Sequence, residues 1–487
     1  MSGHATRTTT EKAQAGWSAV LVRERPRPEA IRNRPDAWWF AVATVCFGAF
    51  MGQLDASIVT LTYHSLRVQF DAPLAGVEWV SLAYLLTLVA LLVPVGRLAD
   101  ARGRKLFYLY GFVAFTAASA ACGLAPSLGA LIGFRVVQAV GAAMLQANSV
   151  ALVATSAPPE RMRTALGVQA AAQALGLALG PTVGAALVAT VGWRWVFGIN
   201  VPIGVVALVA GHFLLPRTRS RNPVPAFDWW GLVWLAIATT SLLLGVSAAS
   251  GLPLPPWAVA GLFVAAVAAG LAFVLRQRRA RVPLLDLGLL RLPAVSPGLI
   301  GALCGYLVLF GPLVLVPIVL VRAGCSEVLT GLVVSALPAG FALAATGAER
   351  LLPRSVTDRG RCLLGAVIAV GVLVSMALVP VAAGGTALFL ALLGVGLGLF
   401  TPANNTLIMR AFPVAAAGTG GGLVNMTRSL GTALGVALVT LALHLAPAGS
   451  VAPAAHSAAR VLLIAAGVML LAAWLSPRRT AKGTGAE

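Results

Sequence analysis

Fourteen long apolar runs constrain the fold of this chain more than any other feature. A helix that crosses about 30 Å of hydrocarbon needs about 20 mostly apolar residues, and each run has roughly that length. Only 10% of the 487 residues are charged, against roughly 25% in a soluble domain. The sequence therefore predicts an all-α polytopic membrane protein, with spans near 37–60, 78–98, 106–124, 128–155, 164–190, 195–215, 229–250, 256–275, 295–320, 328–347, 361–381, 385–409, 418–446 and 457–475.

The basic residues predict the orientation of these spans. With the N-terminus inside the cell, 29 of the 35 Lys and Arg residues fall on cytoplasmic tails, loops or helix ends. This asymmetry follows the positive-inside rule, so we expect a plasma-membrane protein with both termini in the cytoplasm. It also explains the net charge of +20 without a nucleic-acid partner. The six exceptions lie on the outer face or inside spans: Arg67, Arg194, Arg322, Arg460, Arg135 and Arg428.

An internal repeat divides the chain. Residues 141–180 align with 396–435 at a fixed offset of 255, and "RGRKL" (102–106) matches "RGRCL" (359–363). Parallel repeats are typical of transporters with a site at the repeat interface near the midplane. The predicted units are a disordered cytoplasmic tail (1–36), a six-helix bundle (37–215), two extra helices with linkers (216–294), a second six-helix bundle (295–475) and a cytoplasmic tail (476–487).

The two extra helices interrupt the repeat and offer no buried charge in the sequence. We therefore expect them to be peripheral to transport, with Asp228 as a helix N-cap near water. The five cysteines form no C-x-x-C pair, so no disulfide framework is predicted.

Five segments resemble motifs of a known family: "LDASIV" (54–59), "GRLADARGRK" (96–105), "FRVVQAVGAA" (134–143), "GLALGPTVGAAL" (176–187) and "GWRWVFGINVPIG" (192–204). In this order they resemble the major facilitator superfamily, and specifically its fourteen-span drug:proton antiporter branch. The resemblance covers about 37–475. It implies a fold of two six-helix bundles plus two extra helices. It also implies a monomeric transporter without enzymatic activity or cofactor. Such a protein exports lipophilic small molecules in exchange for protons by alternating access.

Asp55 is the only acidic residue that these span limits place deep in the membrane. A desolvated carboxylate can take up a proton and release it to water or a cation, and intramembrane ionisable residues are by default functional. We predict that Asp55 and Arg135 couple transport to protons. The alternatives are a carboxylate permanently neutralised by Arg135 or Arg428, and an Arg135 that snorkels to the headgroups. His64 either titrates near neutral pH or is a plain interfacial residue.

The 96–105 loop is predicted to be a conformational latch. Gly96 and Gly103 allow a tight turn, while Asp100 lies beside Arg97 and Arg104. The Asp100 carboxylate can hold the other half of the protein by salt bridges or at a helix N-terminus, in only one of two states. The alternative is a solvated basic loop.

Gly176, Gly180 and Gly184 are spaced four residues apart, so they share one helix face and form a groove for another helix. Pro181 removes a backbone donor there and bends the helix. We expect a tight seam between the two halves that prevents leakage; the alternative is an ordinary packing seam. Ala185, where the family usually has another glycine, departs from the motif.

Further polar and aromatic residues inside spans are candidates for the substrate pocket, although Asn and Thr also serve as interhelix hydrogen-bonding groups. One deep carboxylate against two intramembrane arginines predicts that neutral, monocationic or weakly acidic molecules are carried in preference to dications, with Arg428 contacting acidic or carbonyl-rich molecules. The candidates are Gln53, Tyr84, Gln138, Tyr306, Asn404, Asn425 and Arg428.

No G-x-x-x-x-G-K-[ST] segment is present, which favours the electrochemical gradient over ATP as the energy source. No metal site is predicted. Two alternatives remain open: a proton-coupled uptake carrier or lipid flippase on the same fold, and a non-transporting membrane sensor.

Overall fold

The computed structural model describes residue 24 and residues 26–72, 74–218, 227–249, 254–353, 355–378, 383–444 and 451–477. Within these residues, thirteen helices are long and apolar enough to cross a membrane. One further pair, Met162–Leu177 and Thr182–Thr190, is bent by 41°. Counting the bent pair as one span confirms the fourteen predicted spans. The predicted span ends at 250, 381 and 446 lie outside the described residues.

The spanning helices are numbered in chain order. They are α1 (Ala37–Ile58), α2 (Leu74–Arg102), α3 (Arg104–Gly123), α4 (Leu128–Ser156), α5 (Met162–Thr190), α6 (Asn200–Leu214), α7 (Trp229–Ala249), α8 (Pro256–Arg279), α9 (Val295–Arg322), α10 (Glu327–Leu351), α11 (Asp358–Leu378), α12 (Ala383–Ala411), α13 (Ala417–His444) and α14 (Val451–Leu475). A short helix, Arg194–Gly198, directly precedes α6 and completes its span.

Helices α1–α6 and α9–α14 pack in the same pattern. In the first set, α1 packs on α5, α3 on α4 and α2 on α4; in the second, α9 packs on α13, α11 on α12 and α10 on α12. The two sets meet through α2 against α13 and, equivalently, α5 against α10. The sequence offset of 255 thus corresponds to a repeat of packing, and the interface between the halves is built from equivalent helices.

The turn between α2 and α3 consists of one residue, Gly103. Its backbone φ of 121° lies in a region that residues with a side chain rarely adopt, so glycine suits this position. The tight turn ends α2 just after Asp100 and begins α3 at Arg104. These two charged side chains are thereby held together at one end of the bundle.

One of the two extra helices packs against both halves, and its predicted peripheral role in transport stays a prediction. Leu243 of α7 packs in one cluster with Leu86 and Val89 of α2 and with Met426 and Leu430 of α13. Helix α7 therefore lies against both halves, while α8 packs on α7.

Asp228 caps α7 as predicted, but it is buried and not near water. It accepts hydrogen bonds from the Gly231 amide (3.0 Å), Gln277 Nε2 (3.0 Å) and Arg276 Nε (3.1 Å). Burial raises the pKa of Asp228, but the hydrogen bonds from Gly231, Gln277 and Arg276 outweigh it, and the net pKa lies below its usual value of 3.8. Asp228 therefore joins α7 to α8, a contact that the sequence spacing did not reveal.

Asp228→Ala should lower the stability of the protein by about 1–3 kcal/mol, because it leaves buried donors unsatisfied. A lowered pKa means that the carboxylate stabilises the fold at neutral pH and loses this effect as the pH falls below 3.8. Thermal unfolding of both proteins at pH 7 measures the difference. Substrate selectivity should not change; a shift as large as that caused by changes in α1 or α4 would mean that the extra pair lines the pathway.

Part of the predicted disordered tail is ordered. The Glu24 carboxylate accepts hydrogen bonds from the amide (2.7 Å) and the hydroxyl (2.8 Å) of Thr218, and Glu29–Arg32 forms a short helix. The Thr218 hydroxyl in turn accepts from the Arg104 amide at the start of α3 (2.9 Å). Residues 1–23, residue 25 and residues 478–487 of the two predicted tails lie outside the described residues.

Candidate functional site

Asp55 lies in a fully buried polar cluster inside the first half. Its Oδ2 atom is 2.6 Å from Nη1 of Arg135, and its Oδ1 atom accepts hydrogen bonds from Gln138 Nε2 (3.0 Å) and Asn200 Nδ2 (2.9 Å). The side chains of Asp55 and Arg135 are 0% and 1% exposed. Three helices, α1, α4 and α6, therefore converge on one carboxylate.

Hydrogen bonds and an aromatic ring hold Arg135 in place. Its Nε donates to the Val80 carbonyl (3.0 Å), its Nη1 also donates to Gln138 Oε1 (2.6 Å), and its guanidinium lies 4.0 Å from the Tyr84 ring centroid. These contacts point inward and not to the membrane surface, so the structure does not support a snorkelling Arg135. The neighbouring His64 is exposed, on the short helix Tyr63–Phe70.

The ion pair lies toward one side of the membrane. Asp55 is eighteen residues beyond the first residue of α1, or about 27 Å along the helix axis. Arg135 lies only seven residues beyond the start of α4, which runs in the opposite direction. The pair is thus nearer to the face that the charge distribution assigns to the outside.

Asp100 lies at the opposite face, against the N-terminus of α13 in the second half. It accepts hydrogen bonds from the Gly418 amide (2.7 Å), the Thr419 amide (2.7 Å) and the Thr419 hydroxyl (2.8 Å). It also forms a buried 2.7 Å ion pair with Arg104, which donates to the Val414 carbonyl of the second half. This is one of the two contacts considered for the latch; its dependence on conformation stays a prediction.

The other residues of the predicted latch surround Asp100. Gly96 lies directly against Gly418, where a Cβ atom would overlap the Gly418 carbonyl. Arg97 lines a cavity of about 310 Å³ together with Asp100 and Asp286. Because Gly96 and Gly418 are in such close contact, a side chain at position 96 would push the two halves apart.

A second contact between the halves, which sequence reasoning missed, involves Asp358 at the start of α11. Its two carboxylate oxygens are 2.7 Å from Arg163 Nη1 of α5 and 2.8 Å from Arg410 Nη1 of α12. Arg163 is the repeat equivalent of Gly418 at the offset of 255. The "RGRCL" match already pointed to this region, because it aligns the start of α11 with the latch loop.

The glycine face of α5 packs inside the first half. Cβ atoms at Gly176 and Gly180 would overlap the Phe50 carbonyl and the Ser57 side chain of α1, and one at Gly184 would also meet α1. The expected seam between the halves is therefore wrong for these three glycines. Glycines allow close approach of any two helices, whether they belong to one half or to both. The sequence therefore did not identify the partner helix.

Helix α5 touches the other half at Gly167 instead, where a Cβ atom would overlap the Ala345 carbonyl of α10. Pro181 lies at the 41° bend between Leu177 and Thr182. The bend agrees with the loss of a backbone donor at proline.

Gly176→Ala should reduce transport strongly, since the added methyl group meets the α1 backbone one turn from Asp55 and not a side chain that can move. Gly371→Ala in α11 is the matched control, because a Cβ atom there meets nothing within 4 Å. Transport rates of the two variants at equal membrane levels test the expectation. Equal activity would show that α1 and α5 tolerate separation.

Arg428 of α13 lies between the halves. Its Nη2 donates to Gln173 Oε1 of α5, its Nη1 to Asn425 Oδ1 (3.3 Å), and its guanidinium lies 4.4 Å from the Tyr306 ring centroid of α9. Asn425 also donates to the Gln146 carbonyl of α4 (2.7 Å). Both halves therefore contribute to this second polar cluster.

The structure brings together only some of the predicted pocket residues. Tyr306, Asn425 and Arg428 are neighbours, and Gln53 is half-buried on α1 beside Gly176. By contrast, Tyr84 and Gln138 belong to the Asp55 cluster, and their assignment to the pocket stays a prediction. Asn404 is also apart from Arg428: it is buried and donates to the Gly298 carbonyl within the second half (2.8 Å).

Two polar partners were missed by sequence reasoning, although each carried a signal. Asn200, which binds Asp55, lies within the "GWRWVFGINVPIG" segment. Gln173, which binds Arg428, stands at the equivalent position of the repeat, 255 residues earlier. Within the described residues, no cluster of three His, Cys, Asp or Glu side chains is placed to hold a metal ion.

Comparison with known proteins gives consistent matches. Residues 45–436 match the family described as Major Facilitator Superfamily. The chain is 31% identical to the tetracenomycin C resistance and export protein of Streptomyces glaucescens, over 84% of this chain and 76% of that one. It is 30% identical to the methylenomycin A resistance protein of Streptomyces coelicolor, over 83% and 85% of the two chains.

Solved structures agree with the fold. The crystal structure of the human organic anion transporter MFSD10 aligns with a TM-score of 0.64, over 91% of this chain and 100% of that one, at 17% identity. At this identity the likeness supports the fold alone. The predicted fold class, two six-helix bundles with two extra helices, is confirmed.

Proposed function

Because the chain belongs to the major facilitator superfamily and is a multi-pass membrane transporter, not an enzyme, we propose that it exports lipophilic small molecules in exchange for protons. Relatives named for antibiotic resistance and export support the outward direction. The proposed location is the plasma membrane, with both termini in the cytoplasm, as the basic residues indicate.

The observation that carries the proposal is the buried Asp55–Arg135 ion pair. Protonation of Asp55 removes the charge that compensates Arg135. An uncompensated charge is costly in a low dielectric, so Arg135 then needs a new partner. Gln138, from the same helix as Arg135, and Asn200 and Tyr84, from two further helices, surround the pair. A proton on Asp55 therefore weakens the ion pair and the hydrogen bonds that join the helices of the first half. Such a link between protonation and helix packing is what proton coupling requires.

Alternating access is supported by the contacts between the halves. Asp100 with α13, Asp358 with Arg163, and Gly167 with Ala345 join the halves near the face assigned to the cytoplasm. These contacts support an arrangement that is closed at this face. We infer that opening toward the cytoplasm breaks these contacts, as expected for a rocking motion of two rigid halves.

An uptake carrier or a flippase on the same fold is the second candidate. No contact in the described residues favours it, and the named relatives favour export. The non-transporting sensor is set aside, because the family is one of transporters.

The deciding experiment is transport by purified protein in liposomes with an imposed pH gradient. A lipophilic dye should move against its own gradient when protons flow the opposite way, and an uncoupler should abolish this movement. Dye movement that persists with the uncoupler would contradict proton coupling, whereas proton and dye movement in the same direction would support the uptake carrier.

A further inference from the structure

We propose that Arg428 binds the acidic group of an anionic aromatic substrate. This inference rests on the proposed export function and names the class of molecule that the same protein carries. Its basis is the arrangement of groups around the Arg428 guanidinium, which is only 4% exposed.

Among the residues that the structure describes, the groups that contact this guanidinium are all neutral. Gln173 and Asn425 each offer an amide oxygen, and the Tyr306 ring covers one face at 4.4 Å. The Nε atom of Arg428 is buried and has no hydrogen-bond partner among the described residues. A donor atom of the guanidinium is therefore left unsatisfied.

The positive charge of Arg428 also has no counter-ion. Across the residues that the structure describes, no carboxylate lies within 4 Å of Arg428, whereas buried Arg104 and Arg135 pair with Asp100 and Asp55. An unpaired buried charge is strongly disfavoured, so an anion that enters this position gains what the protein itself does not supply. A carboxylate or an acidic enol matches the planar donor face of arginine.

The location suits a transported molecule. Arg428 lies eleven residues beyond the first residue of α13, which is about 17 Å along the helix axis and thus near the middle of a 30 Å membrane. Gln173 comes from the first half and Tyr306 from the second, so a ligand here contacts both halves. Tyr306 is stacked with Phe310, with ring centroids 6.2 Å apart, so the guanidinium lies beside an aromatic wall against which the ring of a substrate can pack.

Asp55 does not provide a competing site for cations. Its two oxygens already accept from Arg135, Gln138 and Asn200, and it is 0% exposed. The sequence analysis allowed neutral, monocationic and weakly acidic molecules. The structure narrows this range of substrates to anions, because the charge of Asp55 is compensated by Arg135 and the charge of Arg428 is not compensated within the described residues.

Equilibrium binding to purified protein in phosphatidylcholine nanodiscs, without any gradient, tests the inference. The probes are pyrenebutyrate and pyrenebutyl-trimethylammonium, which share the ring and differ in charge. The wild-type protein should bind the anion at least about tenfold more tightly than the cation, which corresponds to about 1.4 kcal/mol. Arg428→Gln should remove this preference.

Two further variants separate a binding role from a structural one. Arg460→Gln removes an exposed arginine of α14 and should keep the preference, which controls for net charge. Arg428→Lys retains the charge but not the planar donor pair, so it should keep a weaker preference for the anion. It also serves if the Gln variant does not fold.

Three results would overturn the inference: a wild-type protein that prefers the cation, one that binds neither probe, or an Arg428→Gln variant with the wild-type preference. Because no proton gradient is applied, a failure of proton coupling in the liposome experiment leaves this result standing. Conversely, loss of the anion preference would not affect the proposed antiport.

Discussion

Asp55→Asn is expected to reduce proton-driven efflux to background while the protein remains in the membrane. The substitution keeps the shape of the side chain but removes the proton-binding group and leaves Arg135 as a buried, uncompensated charge. Removing one partner of a buried ion pair costs roughly 3–5 kcal/mol, so a drop in thermal stability should accompany the loss. Efflux in liposomes with an imposed pH gradient, together with thermal unfolding, measures both effects.

The double variant Asp55→Asn with Arg135→Gln separates coupling from structure. It removes both charges, so much of the lost stability should return, because no unpaired charge remains. Proton-driven efflux should still be absent if Asp55 carries the proton. If the double variant transports at the wild-type rate, the ion pair is only structural and the carboxylate is permanently neutralised, the alternative that the sequence left open.

The second large effect is expected for Asp100→Ala. This change removes the acceptor of the Gly418 and Thr419 amides and the partner of Arg104. Each charge-assisted hydrogen bond contributes about 1.5–3 kcal/mol, and a bias of 1.4 kcal/mol shifts a conformational equilibrium tenfold. The turnover number should therefore fall by about tenfold or more, with substrate affinity little changed, because Asp100 is remote from Arg428 and Asp55.

Asp286→Ala is the matched control for this prediction. Asp286 is an exposed carboxylate beside the same cavity as Asp100, and its side chain caps only the short helix Leu287–Leu290. Binding and transport of both variants should be measured on the same preparations. If Asp100→Ala loses affinity but keeps its turnover number, or behaves like Asp286→Ala, the latch assignment is wrong.

The residue types and their spacing already identified the charged residues that the structure buries in ion pairs. Asp55 and Arg135 stood out because a charge inside an apolar run is costly, and the structure places them 2.6 Å apart. Asp100 stood out because a one-residue turn brings it next to Arg104. Their roles in coupling and gating stay predictions.

The sequence did not predict which neighbouring helices these residues contact. Tyr84 and Gln138 are pocket candidates by sequence, and the structure places both beside Arg135. The glycines of α5 were expected between the halves, yet they face α1. In both cases the helical period fixes which residues share a face, but it does not fix which neighbouring helix that face meets.

By itself the sequence determined the fourteen spans, the internal repeat and the family, because hydrocarbon thickness fixes the length of an apolar helix and duplication leaves a constant offset. Only the tertiary structure decided which charges are compensated. Asp55 contacts Arg135, 80 residues away in sequence, and Asp100 contacts α13, 318 residues away. Within the described part of the chain, Arg428 contacts only side-chain amides and an aromatic ring. Charge compensation depends on distances of a few ångströms between helices, and these are set by the packing of the whole bundle.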